Sequence, residues 1–365
     1  MKAKLGYLCS SESWGGLEMN HLRNAQWMQE RGHNVVFICV AGSPIHINAT
    51  DFGLKTHLIE KHKKYFGFKK ARVLAKLITH ESISHLIIRS TYDMSILASV
   101  KHILKSKLHT SYFMEMQLGV KKTNFLHTLR FKKIDLWSCP LNWLEDQVKT
   151  MTRFSNKTVV IPSGLNTSQF ENLPSKLTAR NELDLPPEIL IFGLIGRFDR
   201  QKGQLLLINA LKLAKNDNFS IVLLGEPTLN QVDGYTAEMT AEIKDSNLEK
   251  RVFIRPFRKD TATFYKAVDY LVMATKAETF GMVTIESLAC GTPVIGSNAG
   301  GTPEILQNST GGLLFETLNA QSLANQLNRI SSEKVHFDAT TLINMAKAYD
   351  HNKVCTQVEK ALNLV

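Results

Sequence analysis

The alternation of apolar and polar positions divides the chain into short apolar runs separated by amphipathic stretches. Residues 3–9 (AKLGYLC) form the first run and end in a turn-rich SSESWGG. The following LEMNHLRNAQWMQERGH sets Leu17, Leu22, Ala25 and Met28 near helical spacing. Gly32 stands where it would close that helix. NVVFICVAG is then a continuous apolar run, as expected of a strand covered on both faces. Strand, glycine-bearing turn, helix and strand make a βαβ unit, which predicts a parallel sheet. Further strands are expected at 85–90 (HLIIRS), 109–115 (HTSYFME), 135–140 (DLWSCP) and 157–164 (KTVVIPSG), with helical patterns between them.

After the turn-rich stretch from Pro162 to Pro174 the style restarts. EILIFGLIGRFDRQKG reads as a strand and a glycine-bearing loop, GQLLLINALKLAK as an amphipathic helix, and FSIVLLGE as a strand. RVFIRPF, DYLVMAT and TPVIGS are further strands. TATFYKAV and FGMVTIESLACG are helices, and GTPEILQ starts another. The expected fold class is α/β, with two Rossmann-like, doubly wound domains facing a central cleft, and a ligand at the carboxyl ends of the strands.

Composition narrows this reading. A chain of 365 residues with 44% apolar and 21% charged residues has material for two cores and is no candidate for disorder. Five cysteines are too few for a disulfide scaffold. Cys9, Cys39, Cys139 and Cys290 lie in apolar runs and read as core residues of a reducing compartment. The N-terminal apolar stretch is too short for a secretory signal, and no 18-residue apolar span occurs, so a cytoplasmic location is expected. The charge is uneven. Residues 1–150 carry 22 basic and 11 acidic side chains, whereas residues 151–365 carry 22 of each. The whole net charge of +11 thus lies in the first half, which points to an anionic partner there or to a solvated basic face.

The most informative segment runs from Lys276 to Ile305, KAETFGMVTIESLACGTPVIGSNAGGTPEI. Glu278 ends the loop after a strand, Phe280-Gly281 opens a helix, and Glu286 follows Glu278 by eight residues. A helix N-terminus offers unpaired N–H groups and a positive dipole end to a diphosphate. Taken alone, the two glutamates fit a first-turn acid and a solvated helix residue equally well. The segment as a whole, however, resembles the E-x7-E signature of retaining glycosyltransferases of family 4, which have the GT-B fold, almost position by position. GLIGRFDRQKG (193–203) resembles the family's strand and loop bearing the Arg and Lys that clamp the donor diphosphate, here Arg197 and Lys202. WGGLE (14–18) looks like its first βα loop, with Gly15 and Gly16 allowing close approach of a ligand. IPSGLNTSQF is similar to the interdomain segment, with Asn166 in place of the usual Asp, and YDHNKVCTQVEKAL is similar to the closing helix.

The resemblance implies an N-terminal acceptor-side domain over 1–165, a C-terminal nucleotide-sugar domain over 166–345, and a terminal helix in 346–365 that returns to the first domain. It implies an enzyme, a hexosyltransferase that moves a sugar from a nucleotide diphosphate donor (UDP or GDP) to an acceptor hydroxyl with retention. Cell-surface polysaccharide or glycolipid synthesis is the expected setting, with a glycan or glycolipid as acceptor. Glu278, Arg197 and Lys202 are the implied catalytic set. Phe280, Gly281, Met282, Val283 and Glu286, with Gly15 and Gly16, are the implied donor contacts. Where many relatives carry a donor-contacting His, this chain reads SYFMEMQLGVKK, which leaves Glu115 and Gln117 as candidates.

No D-x-D, Walker A, HExxH or GxSxG pattern occurs. The expectation is therefore no metal and no cofactor, with Arg, Lys and helix dipole neutralising the diphosphate. KTHLIEKHKKYFGFKKARVLAK (55–76) interleaves Lys63, Lys64, Lys69 and Lys70 with Phe66 and Phe68. That composition suits peripheral attachment to an anionic membrane surface, on the inner face, or a solvated helix. Nucleic acid is not an expected partner. A sugar-nucleotide epimerase of the same fold, or a non-catalytic binding protein on this scaffold, are the rival readings.

Overall fold

The computed structural model describes residues 3–65, 67–227, 234–307, 309–333 and 335–365. The chain forms two compact units, Met1–Gly164 with His351–Val365, and Leu165–Asp350.

The first unit is built on seven strands: β1 (Lys4–Cys9), β2 (Asn34–Val40), β3 (Lys55–Ile59), β4 (His85–Ile88), β5 (His109–Phe113), β6 (Leu136–Cys139) and β7 (Lys157–Val160). They lie in the order β3-β2-β1-β4-β5-β6-β7, and every pairing is parallel. A parallel sheet is covered on both faces, which is why its inner strands are apolar throughout rather than alternating. One face buries Tyr7, Phe37, Leu22 and Met28, and the other buries Leu8, Ile38, Ile88 and Trp137. The C-terminal helix His351–Ala361 packs on the helix Gly16–Glu30. There it adds Val354, Cys355 and Val358 to the first face. Its Glu359 takes Arg31 at 2.6 Å and His33 at 2.7 Å.

The second unit has a six-stranded parallel sheet of β8 (Leu190–Ile195), β9 (Phe219–Leu224), β10 (Val252–Arg255), β11 (Tyr270–Met273), β12 (Val294–Ser297) and β13 (Gly312–Phe315). Its order is β10-β9-β8-β11-β12-β13. In both sheets the strand order reverses beside the first strand, between β1 and β4 and between β8 and β11. These are the switch points where loops diverge and leave a crevice at the carboxyl edge.

Two strands escape the sequence pattern. β3 is an edge strand carrying Lys55, Thr56 and His57, so it presents no apolar run. β13 is a four-residue edge strand. The unit boundaries also differ by a few residues from the sequence-based ones, falling after Gly164 and Asp350. Leu165 N–H bonds Tyr349 O at 2.8 Å, and the Tyr349 ring meets Phe280 at 5.8 Å, which ties residues 346–350 to the second unit. All five cysteines are buried, Cys355 included. Among the described residues no helix is long and apolar enough to cross a membrane.

Candidate functional site

In the second unit three loops at the carboxyl edge of neighbouring strands carry the implied donor residues. After β8 the chain turns at Gly196, whose N–H bonds Leu224 O at 3.0 Å. Asp199 then organises a tight turn, its Oδ1 accepting from Gln201 N at 2.7 Å and its carbonyl from Lys202 N at 3.0 Å. Gly203 caps the next helix, Gln204–Leu213, at φ +79°, and a Cβ there would lie 2.4 Å from Ala274 O. The loop is pinned from below: Gln204 Nε2 donates to Arg197 O at 2.8 Å, and Tyr235 hydroxyl donates to Gln204 Oε1 at 3.2 Å. Lys202 and Arg197 thus project from a braced backbone. Lys202 Nζ stands 3.7 Å from Glu278 Oε2. The Arg197 side chain is 65% exposed, 3.7 Å from Asp199 Oδ2.

Glu278 itself is held by a glycine pair. Its carbonyl accepts from Gly301 N at 2.8 Å, and Glu278 and Gly300 form a parallel bridge. Gly300 sits at φ +65°, where a Cβ would lie 2.3 Å from Glu278 O. Gly281 (φ +86°) caps the helix Met282–Ala289, and Thr284 N bonds Gly281 O at 2.9 Å. Met282 and Val283 N–H groups lie upstream of that bond, among the donors a helix leaves without intrahelical partners. They face the same carboxyl edge. Glu286, one turn on, accepts a 2.7 Å bond from the Tyr265 hydroxyl. Burial first, then the Glu286 carboxylate, push the Tyr265 hydroxyl well above its ordinary range, so it remains a donor. The sequence pattern did not reveal Tyr265 as the partner of Glu286, since TATFYKAV reads only as a helix. Lys202, Glu278 and the helix start therefore lie together, and Glu286, on the same helix, is oriented by Tyr265.

In the first unit, the extended Gly15 caps the helix Gly16–Glu30, and at Gly16 a Cβ would meet nothing within 4 Å. Nothing in the unit's own packing requires glycine at residue 16. Glu115 is not an open carboxylate. It is paired with Arg89, both 7% exposed, and accepts from Asn20 Nδ2 at 3.2 Å and Ser163 Oγ at 3.3 Å. Gln117 is exposed. The switch point carries a further pair missed in the sequence. His62 and Asp93 are fully buried, with Nε2 2.9 Å from Oδ1, and Ser10 N donates to Asp93 Oδ2 at 3.3 Å. Both His62 nitrogens face acceptors, the second being Lys63 O at 2.9 Å. Burial alone would lower the imidazole pKa, but Asp93 and that carbonyl outweigh it and raise the pKa above its ordinary value.

Of the basic stretch, Lys63, Lys64, Lys69 and Phe68 are exposed. Lys70 is half-exposed and engaged at the surface, donating to Lys61 O and standing 3.4 Å from Glu60. Phe66 lies outside the described residues.

Comparison with known proteins gives this architecture its class. Residues 175–349 match the family model of the group 1 glycosyl transferases. That match falls within the second unit. The chain is 29% identical over 197 residues to a D-inositol 3-phosphate glycosyltransferase of Streptosporangium roseum, a match covering 52% of this chain and 45% of that protein. The chain thus spans less than half the length of this curated relative. Among solved structures, a glycosyltransferase of Rickettsia africae superposes with a TM-score of 0.88 at 19% identity, over 100% of this chain and 98% of the other. Anabaena Alr3699/HepE in complex with UDP gives 0.86 at 20% identity over 99% and 100%, and its complex with UDP-glucose gives 0.80 over the same shares. The fold is GT-B.

Proposed function

We propose that the chain is a retaining hexosyltransferase that uses a nucleoside diphosphate sugar, UDP in preference to GDP, as donor. The observation that carries this reading is the convergence of the Lys202 ammonium, the Glu278 carboxylate and the N–H groups of Met282 and Val283 at one switch point. A diphosphate needs cationic and N–H donors, and a sugar beside it needs a carboxylate acceptor. The Anabaena protein of like fold, solved with UDP and with UDP-glucose, favours uridine.

In this reading Lys202, Arg197 and the helix start stabilise the negative charge that grows on the diphosphate as the glycosidic bond breaks. Glu278 holds the sugar hydroxyls and faces the positive charge developing at the anomeric carbon. Glu286, aimed by Tyr265, holds the ribose. The leaving phosphate oxygen takes the acceptor's proton on the face it departs from, which preserves the anomeric configuration. No metal and no cofactor are assigned a step. The acceptor is a glycan or glycolipid, and the exposed Lys63, Lys64, Lys69 and Phe68 bring the first unit to an anionic membrane on its cytoplasmic side.

Calorimetry of UDP and GDP against the full chain, followed by NMR of the product from a UDP-hexose library, tests this. Tight UDP binding with an anomer matching the donor is expected. An inverted product, or donor converted to an epimer without acceptor, would overturn it.

A further inference from the structure

Two adjoining cavities in the first unit share one wall. The larger, of about 600 Å³, runs between the helices Met94–Leu104 and Phe125–Phe131 and the start of the helix Phe68–His80. Its lining is largely apolar, with Phe68, Ala98, Ile103, Leu126 and Leu129. Phe68, Leu126 and Leu129 are 60%, 57% and 49% exposed, unusual for large apolar side chains brought together on one surface. A volume of this size is that of a small-molecule site, for which about 300–1,000 Å³ is usual.

The smaller cavity, of about 20 Å³, holds about one water-sized group. Lys64, Lys122, His127 and Arg130 line it, and among the described residues neither cavity has an acidic residue in its wall. Burial lowers the Lys122 ammonium pKa, and the charges of Lys64 and Arg130 lower it further. Burial likewise lowers His127, with Arg130, Lys122 and Lys64 adding to the effect. The fold thus gathers cations that repel one another, an arrangement that a bound anion relieves.

Arg130 stands between the two cavities, and its position is set. Its Nη1 donates to Ser95 Oγ at 3.1 Å and its Nε to Leu126 O at 3.3 Å, while the guanidinium carbon lies 4.9 Å from the Tyr65 ring centre. A rigid fork at the mouth of a cationic pocket that holds one water-sized group suits a phosphate seated at that mouth with one oxygen inside. A ligand with an anionic head alone would leave the groove unused, and an apolar ligand alone would leave the cations unpaired.

We propose that the two cavities form one binding site for a phosphate-bearing lipid, with its phosphate among Lys64, Lys122 and Arg130 and its hydrocarbon chain along the Phe68–Leu129 groove. The site stands on the first unit by itself and does not depend on the sugar-transfer reading. Charge complementarity commits it to this occupant. A single-stranded nucleic acid would stack on a succession of exposed aromatic faces along a basic track, whereas the apolar wall of this groove is carried by Ala98, Ile103, Leu126 and Leu129 beside Phe68.

The probe is short-chain phosphatidic acid below its micellar concentration, titrated into the full chain by calorimetry. Inorganic phosphate, short-chain phosphatidylcholine and a single-stranded oligonucleotide serve as comparisons. Phosphatidic acid should bind with one-to-one stoichiometry and at least about tenfold more tightly than inorganic phosphate, because the groove contributes. Lys122→Gln should weaken it about fivefold or more, the effect of about one charge at a lipid headgroup. The same substitution should leave the melting temperature of the unliganded protein unchanged or raised, because it removes a repulsion. Leu129→Ser should weaken phosphatidic acid while leaving inorganic phosphate unchanged. UDP affinity, measured alongside, reports on the other unit and should stay constant in both variants. Equal affinity for phosphatidic acid and phosphatidylcholine would overturn the proposal. So would indifference of phosphatidic acid to both substitutions, or tighter binding of the oligonucleotide.

Discussion

Gly300 supports Glu278 without any side chain of its own, so Gly300→Ala should disturb the site from behind. At φ +65° an alanine pays about 1–2 kcal/mol for the left-handed conformation. Its Cβ, placed 2.3 Å from Glu278 O and 2.9 Å from Glu278 N, must also push that backbone away. The 2.8 Å bond from Gly301 N to Glu278 O is then lengthened or lost, at a net cost of about 0.5–1.5 kcal/mol. Together these come to about 2–3 kcal/mol. A domain of this size loses about 2–4 °C of melting temperature per kcal/mol, so a fall of about 4–12 °C is expected. The displacement falls on Glu278, whereas the start of the helix Met282–Ala289 is anchored separately through Gly281. A shift of about 1 Å in a positioning group costs about a hundredfold in turnover. Calorimetry with UDP and steady-state turnover, both well below the melting temperature, separate the two effects. UDP affinity should remain within about threefold while kcat falls about a hundredfold. Parallel losses in UDP affinity and kcat would refute the argument, as would an unchanged melting temperature.

Lys202→Ala and Arg197→Ala should each lower kcat/KM by about 10²–10³ and turnover should withstand EDTA, checked by donor-consumption assays with and without chelator. Glu286→Gln should chiefly weaken UDP binding, because the ribose is held equally in ground and transition states, whereas Glu278→Gln should chiefly lower kcat; product calorimetry beside turnover tells them apart. In the first unit, Glu81 accepts from Lys4 at 2.7 Å, Lys55 at 2.7 Å and His57 at 2.8 Å, and Lys4, then Lys55 and His57, pull its pKa from 4.5 to about 2. A depressed carboxylate contributes stability above its unfolded value, and that contribution is lost as pH falls from about 4.5 toward 2. The melting temperature should therefore drop across that interval, and Glu81→Gln should lower it at neutral pH while flattening the acid limb.

The sequence alone determined the strands of both units except the edge strands β3 and β13, because central strands of a parallel sheet are covered on both faces and appear as unbroken apolar runs. Phe37, Ile38 and Cys39, or Ile221, Val222 and Leu223, leave little room for another reading. It also presented the Glu278–Glu286 segment as one motif, since a strand end, a glycine and a helix start are contiguous along the chain. What was decided only in three dimensions involves partners far apart in sequence or strands with no apolar signature. β3 pairs through its backbone and carries polar side chains at an exposed edge, so periodicity could not show it. The pairing of Arg89 with Glu115 depends on β4 and β5 lying side by side, and it changes Glu115 from an open candidate into a neutralised, buried group. Tyr265 reaches Glu286 across 21 residues, and Gly300 braces Glu278 across 22. Lys64, Lys122 and Arg130 come from the loops after β3 and β5 and from a short helix. Their mutual repulsion exists only once the sheet has brought those carboxyl ends together, because coulombic coupling follows distance in space rather than along the chain.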